Sequence, residues 1–130
     1  MVSSLPDMRF RYTDALVTLA AIDLDTLVEF YSQLLTQEPK PFIPKVYAEF
    51  QLSGLRLGIF KPKENNDQEF ANSPHSGMSL CLEVEDLEEA IAHLTSLGYP
   101  PPGEVTTASH GREIYAYDPA RNRLILHESS

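Results

Sequence analysis

Leu19-Ala20-Ala21-Ile22-Asp23-Leu24-Asp25 and, 63 positions later, Leu82-Glu83-Val84-Glu85-Asp86-Leu87-Glu88 are two versions of one sentence. Each is a strand-like run that stops at an Asp-Leu-acid turn and passes into an amphipathic helix. After the first, Leu24, Leu27, Val28, Tyr31, Leu34 and Leu35 recur at three- and four-residue spacing, the period of a helix with one buried stripe. After the second, Leu87, Ala90, Ile91, Leu94 and Leu97 do the same, and Gly98 stands where a left-handed C-cap is wanted. Asp23 or Asp25 can cap the first helix, because a short carboxylate accepts from the free N–H groups of the opening turn. The halves also end alike: Leu55-Arg56-Leu57-Gly58-Ile59 matches Asn122-Arg123-Leu124-Ile125-Leu126. A repeat of this size implies two copies of one unit, each unable to bury its apolar face alone.

Between these markers the chain alternates as strands do. Ala15 to Ala21 opens the first half. Tyr47 to Leu52 and Leu55 to Phe60 form a hairpin across Ser53-Gly54, a two-residue turn of favourable type. Glu38-Pro39-Lys40-Pro41 ends the first helix. In the second half, strands are expected near Val105 to Ala108, from Arg112 to Tyr117 and from Arg123 to Glu128. Asp118-Pro119-Ala120-Arg121-Asn122 turns between the last two. Each half reads strand–helix–strand–strand–strand. The expected organisation is an N-terminal arm (1–13) and a single domain (14–128). Within it lie module 1 (about 14–62), a polar linker (about 63–76) that is the segment expected to be most mobile, and module 2 (about 77–128).

Composition narrows the function classes. The 130 residues suffice for one domain. Ten Lys and Arg against 19 Asp and Glu give a net charge of −9, and no basic patch is visible for nucleic-acid phosphates. No apolar run approaches the roughly 20 residues of a membrane span. The opening Met1-Val2-Ser3-Ser4-Leu5-Pro6-Asp7 lacks the basic flank and apolar run of a signal peptide. Cys81 is the single cysteine, which excludes an internal disulfide and fits a reducing cytoplasm.

The Asp23-Leu24-Asp25 turn running into Val28-Glu29-Phe30-Tyr31, the Asp86-Leu87-Glu88-Glu89-Ala90 copy, and the closing Tyr117-Asp118-Pro119-Ala120-Arg121-Asn122-Arg123-Leu124 together resemble the vicinal oxygen chelate superfamily. This group includes glyoxalase I, extradiol dioxygenases and bleomycin-resistance proteins. The last stretch is similar to the family's Asp-Pro-x-Gly-Asn ending. The resemblance implies an α+β fold of two βαβββ modules forming a cupped mixed β-sheet, helices outside, often completed in a homodimer. It also implies a divalent ion held in metal-dependent members by His, Gln or Glu at positions that here are Leu16, Gly58, Ser79 and Ile125. Leucine, isoleucine and glycine offer no lone pairs, and one serine hydroxyl is a weak neutral ligand. No metal and no other cofactor is therefore expected.

Alternation sorts Leu16, Thr18, Arg56, Gly58 and Phe60 in module 1 onto one cleft face. Ser79, Cys81, Glu83, Ile125 and His127 fall on the matching face of module 2, with Tyr115 and Tyr117 on a neighbouring strand. Glu83 and His127 are the candidates for acid–base chemistry. Glu83 has the competing expectation of a carboxylate near the strand's mouth, solvated or paired with an arginine such as Arg56 or Arg112, and His127 that of an exposed edge residue. Cys81 is expected to be a wall residue rather than a reactive thiolate, His93 a boundary residue of the helix, and His110 a loop residue whose spacing identifies no partner. Three functions remain open: a metal-free module binding a small organic molecule, a dimeric structural or interaction protein with a vestigial cleft, and a metal-dependent lyase, isomerase or dioxygenase of the glyoxalase type.

Overall fold

The computed structural model describes residues 10–11, 13–71 and 76–130. Most of the proposed N-terminal arm lies outside them. Module 1 comprises β1 (Val17–Ala20), α1 (Leu24–Leu35), β2 (Phe42–Ile43), β3 (Tyr47–Leu52) and β4 (Leu55–Phe60). Module 2 comprises β5 (Leu80–Glu83), α2 (Leu87–Ser96), β6 (Thr106–Ala108), β7 (Gly111–Tyr117) and β8 (Arg123–Ser129). The sheets have the same order, β1-β4-β3-β2 and β5-β8-β7-β6. In each, the first strand runs parallel to the last and the other neighbours are antiparallel. The expected cupped sheet is thus two four-stranded sheets, with β1 and β5 each paired on one side only.

The duplicated Asp-Leu turn has a plain physical meaning. Asp23 accepts the Thr26 backbone N–H at 3.2 Å and the Thr26 hydroxyl at 2.6 Å, and those bonds hold its carboxyl below the usual range. Asp86 accepts the Glu89 N–H at 3.0 Å. The leucine after each cap, Leu24 or Leu87, is buried at the first helical position. Cap and leucine together fix where the helix starts and which face turns to the sheet. At the other end of α2, the Tyr99 N–H reaches the Leu94 carbonyl and the Gly98 N–H reaches that of Thr95, both at 3.0 Å. Gly98 has φ +96, the left-handed cap expected of it.

One hydrophobic cluster runs through both modules, from Leu27, Phe50 and Ile59 to Leu94, Leu124 and Leu126. Phe30 of α1 meets Tyr99 edge-on at 5.2 Å. The fully buried Tyr31 donates its hydroxyl to Asp118 Oδ2 at 2.7 Å. Asp118 also accepts the N–H groups of Ala120 and Asn122 and the Asn122 side-chain amide, each at 2.9 Å. Burial pushes the Asp118 carboxyl up, and these four donors oppose that shift.

Two details differ from expectation. The linker carries a 3₁₀ helix, Glu64–Phe70, whose Phe70 ring packs edge-on against Phe60 at 5.3 Å. A polar composition hid that anchor. The two-residue β2 was also missed: its exposed Phe42 and Ile43 sit between prolines, too short for alternation to register.

Tyr31→Phe removes one of four donors from a buried carboxylate. It should lower unfolding free energy by about 1–2 kcal/mol, read from urea denaturation. Arg121 has φ +69, a left-handed conformation costing a side-chain-bearing residue about 1 kcal/mol. Arg121→Gly should therefore raise the urea midpoint or leave it unchanged, whereas Arg121→Val should lower it.

Candidate functional site

Register places the face residues in rows across each sheet, because residues directly opposite one another point the same way. In module 1 the rows are Thr18–Gly58–Glu49 and Ala20–Phe60–Tyr47, with Arg56 opposite Gln51. In module 2 they are Cys81–Ile125–Tyr115 and Glu83–His127–Glu113, with Tyr117 opposite Arg123. The alternate rows carry the buried side chains: Leu57 opposite Phe50, and Leu126 opposite Leu82 and Ile114. The expected face residues thus share faces as alternation required, Leu16 standing just before β1 and Ser79 just before β5. Tyr47, Glu49, Gln51 and Glu113 belong to the same faces and were not singled out from sequence.

On the module 1 face the polar groups saturate one another. Glu49, only 8% exposed, accepts Tyr47 Oη at 2.8 Å, Gln51 Nε2 at 2.9 Å and Arg56 Nη1 at 3.1 Å. Arg56 also pairs with Asp14. The Gln51, Tyr47 and Arg56 hydrogen bonds hold the Glu49 carboxyl below its ordinary range. Burial, with the Glu49 bond, pushes the Tyr47 phenol up. The Tyr47 ring lies over Gly58, where a Cβ would come within 2.5 Å of its hydroxyl.

Module 2 is arranged differently. Glu83 pairs with His127 Nδ1 rather than with Arg56 or Arg112, correcting that expectation. Arg56 is committed to Asp14 and Glu49, and Arg112 to Glu88 and Glu128. The other Glu83 oxygen accepts the Ser129 hydroxyl at 2.9 Å. His127 is half-buried rather than exposed, and its Nε2 lies 2.9 Å from His110 Nδ1. Sequence spacing could not have found His110, which arrives from the β6–β7 turn. His93 is an exposed residue of α2 whose Nε2 lies 3.1 Å from the Gln33 carbonyl, the boundary position expected. Arg112 clamps Glu88 bidentately at 2.7 and 2.8 Å, and Glu128 accepts the Leu87 N–H at 2.9 Å. The Asp86, Glu88 and Glu128 cluster therefore serves the start of α2.

A cavity of about 370 Å³ opens between the free edges of β1 and β5. Leu19, Leu55, Phe70 and Met78 supply apolar wall, and Tyr31 and Arg123 also line it. Of the twelve expected cleft residues it takes Thr18, Ser79 and Cys81. The other nine are not among its lining residues, because an opening between strand edges is lined by consecutive residues such as 17–20 rather than by alternate ones. Burial first, then the charges of Glu83 and Glu113, push the Cys81 thiol up, so it is no ready thiolate. Arg123 donates Nε to Ser79 Oγ at 2.6 Å and Nη2 to the Ser76 carbonyl at 2.7 Å.

The sequence profile of the Glyoxalase/Bleomycin resistance protein/Dioxygenase superfamily matches residues 15–126. The chain belongs to that superfamily. Solved structures agree on the fold. A bleomycin resistance determinant encoded on transposon Tn5 is 22% identical, with a TM-score of 0.62 over 92% of this chain and 99% of that one. Lactoylglutathione lyase from Agrobacterium tumefaciens is 22% identical, at 0.67 over 91% and 96%. The fosfomycin resistance protein FosX from Listeria monocytogenes is 17% identical, at 0.71 over 93% and 96%. No curated protein matches the chain in sequence.

Leu16, Gly58, Ser79 and Ile125, the positions at which the resemblance implied a metal, do not fit a cation. Leu16 and Ile125 are hydrocarbon, Gly58 lies beneath Tyr47, and Ser79 faces a guanidinium that already donates to its only side-chain oxygen.

The low-lying Glu49 carboxyl has a consequence for stability. Its contribution is present above the ordinary glutamate value of 4.5 and is lost as pH falls through the lower folded value. Glu49→Gln should flatten the dependence of urea midpoint on pH below 4.5, and an unchanged slope would reject the network's role.

Proposed function

We propose that this chain is a metal-independent binding protein that holds a small organic molecule in the cavity between β1 and β5. The observation that carries the reading is the cavity itself. Its volume of about 370 Å³ falls in the range of ligand pockets, and mostly apolar walls with few polar groups are what such pockets use. Arg123 supplies the orienting group: among the described residues its Nη1 has no partner, so it can donate to an acceptor on the ligand. Arg123 against Ser79 and Tyr47 over Gly58 support metal independence. A cleft closed by its own side chains would have Leu16, Phe60 and Ile125 meeting in the middle. Instead Phe60 packs on Phe70 and Leu16 is exposed, which favours the binding reading over a vestigial one.

The same reading takes the chain to be a cytoplasmic homodimer requiring no cofactor. Exposed Leu16, Phe42, Ile43 and Tyr115 and unpaired edges on both sheets are the features a second copy can cover. No helix among the described residues is long and apolar enough to cross a membrane.

Native mass spectrometry with elemental analysis tests the reading. The purified protein should carry a co-purifying organic adduct and only substoichiometric metal. Thr18→Trp, which fills the cavity from its wall, should weaken that adduct at least about tenfold, or about 1.4 kcal/mol. One tightly held zinc, nickel, iron or manganese ion per chain, or undiminished binding in the variant, would overturn it.

A further inference from the structure

Glu83, His127 and His110 form a chain of hydrogen bonds that ends in a ring nitrogen, His110 Nε2, with no partner among the described residues. Both Glu83 oxygens are engaged, by His127 Nδ1 and the Ser129 hydroxyl. A carboxylate only accepts, so His127 donates from Nδ1, and in its neutral form the lone pair is then at Nε2. His110 Nδ1 must then donate across the 2.9 Å gap, which leaves the lone pair of His110 at Nε2. The ring centroids are 5.0 Å apart with planes 25° from parallel. With nitrogens only 2.9 Å apart, the rings meet edge to edge, as an in-plane N–H···N bond requires.

The turn that delivers His110 is built around Gly111. Its φ is +141, and a Cβ there would come within 2.2 Å of the Glu128 carbonyl and 3.1 Å of His127 Nε2. Only glycine lets this turn close onto the His127 ring. His127 is itself half-buried, so the pair is positioned rather than free to swing.

We propose that this array is a metal-free general-base site in which His110 Nε2 takes the proton and His127 and Glu83 position it. The site is separate from the β1–β5 cavity, whose lining holds none of the three, and stands or falls independently of it. Glu83 and Glu113 flank His127 on the same face and disfavour anions, so the substrate is neutral or cationic; the reaction assigned to the base is attack of water on the acyl carbon of an ester. Water's oxygen forms the new bond to the acyl carbon while one of its protons moves to His110 Nε2. The positive charge then on His110 is stabilised through His127 by the Glu83 carboxylate. The ester C–O bond breaks with its electron pair on the departing oxygen, and the proton on His110 returns to that oxygen or to solvent.

p-Nitrophenyl acetate serves as the probe. His110→Ala should lose about 10²-fold of the protein-dependent release of p-nitrophenolate, while His93→Gln, on the outside of α2, should retain it. The positioning residues are read by imidazole ¹⁵N NMR. Both rings in the native protein should be protonated at Nδ1, the minority tautomer of free histidine. Glu83→Ala should return them to Nε2–H with a rate loss of tenfold or more. A native rate in His110→Ala, or Nε2-protonated His127 in the unmodified protein, would overturn the assignment.

Discussion

The bond between Tyr31 and Asp118 is the contact on which the rest of the molecule is hung. It joins the helix of one module to the β7–β8 turn of the other, inside a core that neither module closes alone. Asp118 is costly to bury, and it is tolerated because four donors converge on it. Three of those belong to its own turn and one arrives from α1, so the turn's shape and the docking of the modules are one event. That docking sets the gap between β1 and β5, and Tyr31 forms part of the resulting cavity wall. The cavity follows from how two sheets with unpaired edges are held side by side.

The two modules share a backbone plan but have diverged in what their open faces do. On the first, every polar group around Glu49 is answered, and the Tyr47 ring covers the one glycine where a side chain could have projected. Such a network is rigid and chemically spent. On the second, Glu83 and His127 are answered in sequence, and the last member, His110, has a ring nitrogen without a partner among the described residues. The difference lies in direction. The first network converges on a buried carboxylate, whereas the second starts from an exposed one and leads outward.

Much of this fold could be foreseen because its decisive signals are local. An aspartate cap followed by a buried leucine works within one helical turn, so Asp23-Leu24 and Asp86-Leu87 betray both helices and the repeat. Alternation likewise predicted which residues share a face, since strand geometry leaves no choice. It could not say how far apart the two faces stand, so only Thr18, Ser79 and Cys81 of the expected cleft line the cavity. Nor could it find His110 or the Phe60–Phe70 contact, because both depend on a turn or linker folding back onto a strand. Glu83's partner was misjudged for a related reason: the arginines had nearer carboxylates, which only the folded arrangement exposes.

Gly58 and Ser79 are each covered by a side chain from a neighbouring strand. Tyr47 fills the space above the glycine, and Arg123 places positive charge against the serine. A guanidinium at that point repels any divalent ion electrostatically while offering hydrogen bonds to an anionic or neutral acceptor. Arg123 thus puts a fixed positive charge in the wall of the β1–β5 cavity, where it can donate hydrogen bonds. Beyond the Cys81–Ile125 row, Glu83 stands opposite His127, and the face is again rich in titratable groups. The parallel pairing of β5 with β8 is by itself enough to set a carboxylate beside an imidazole there.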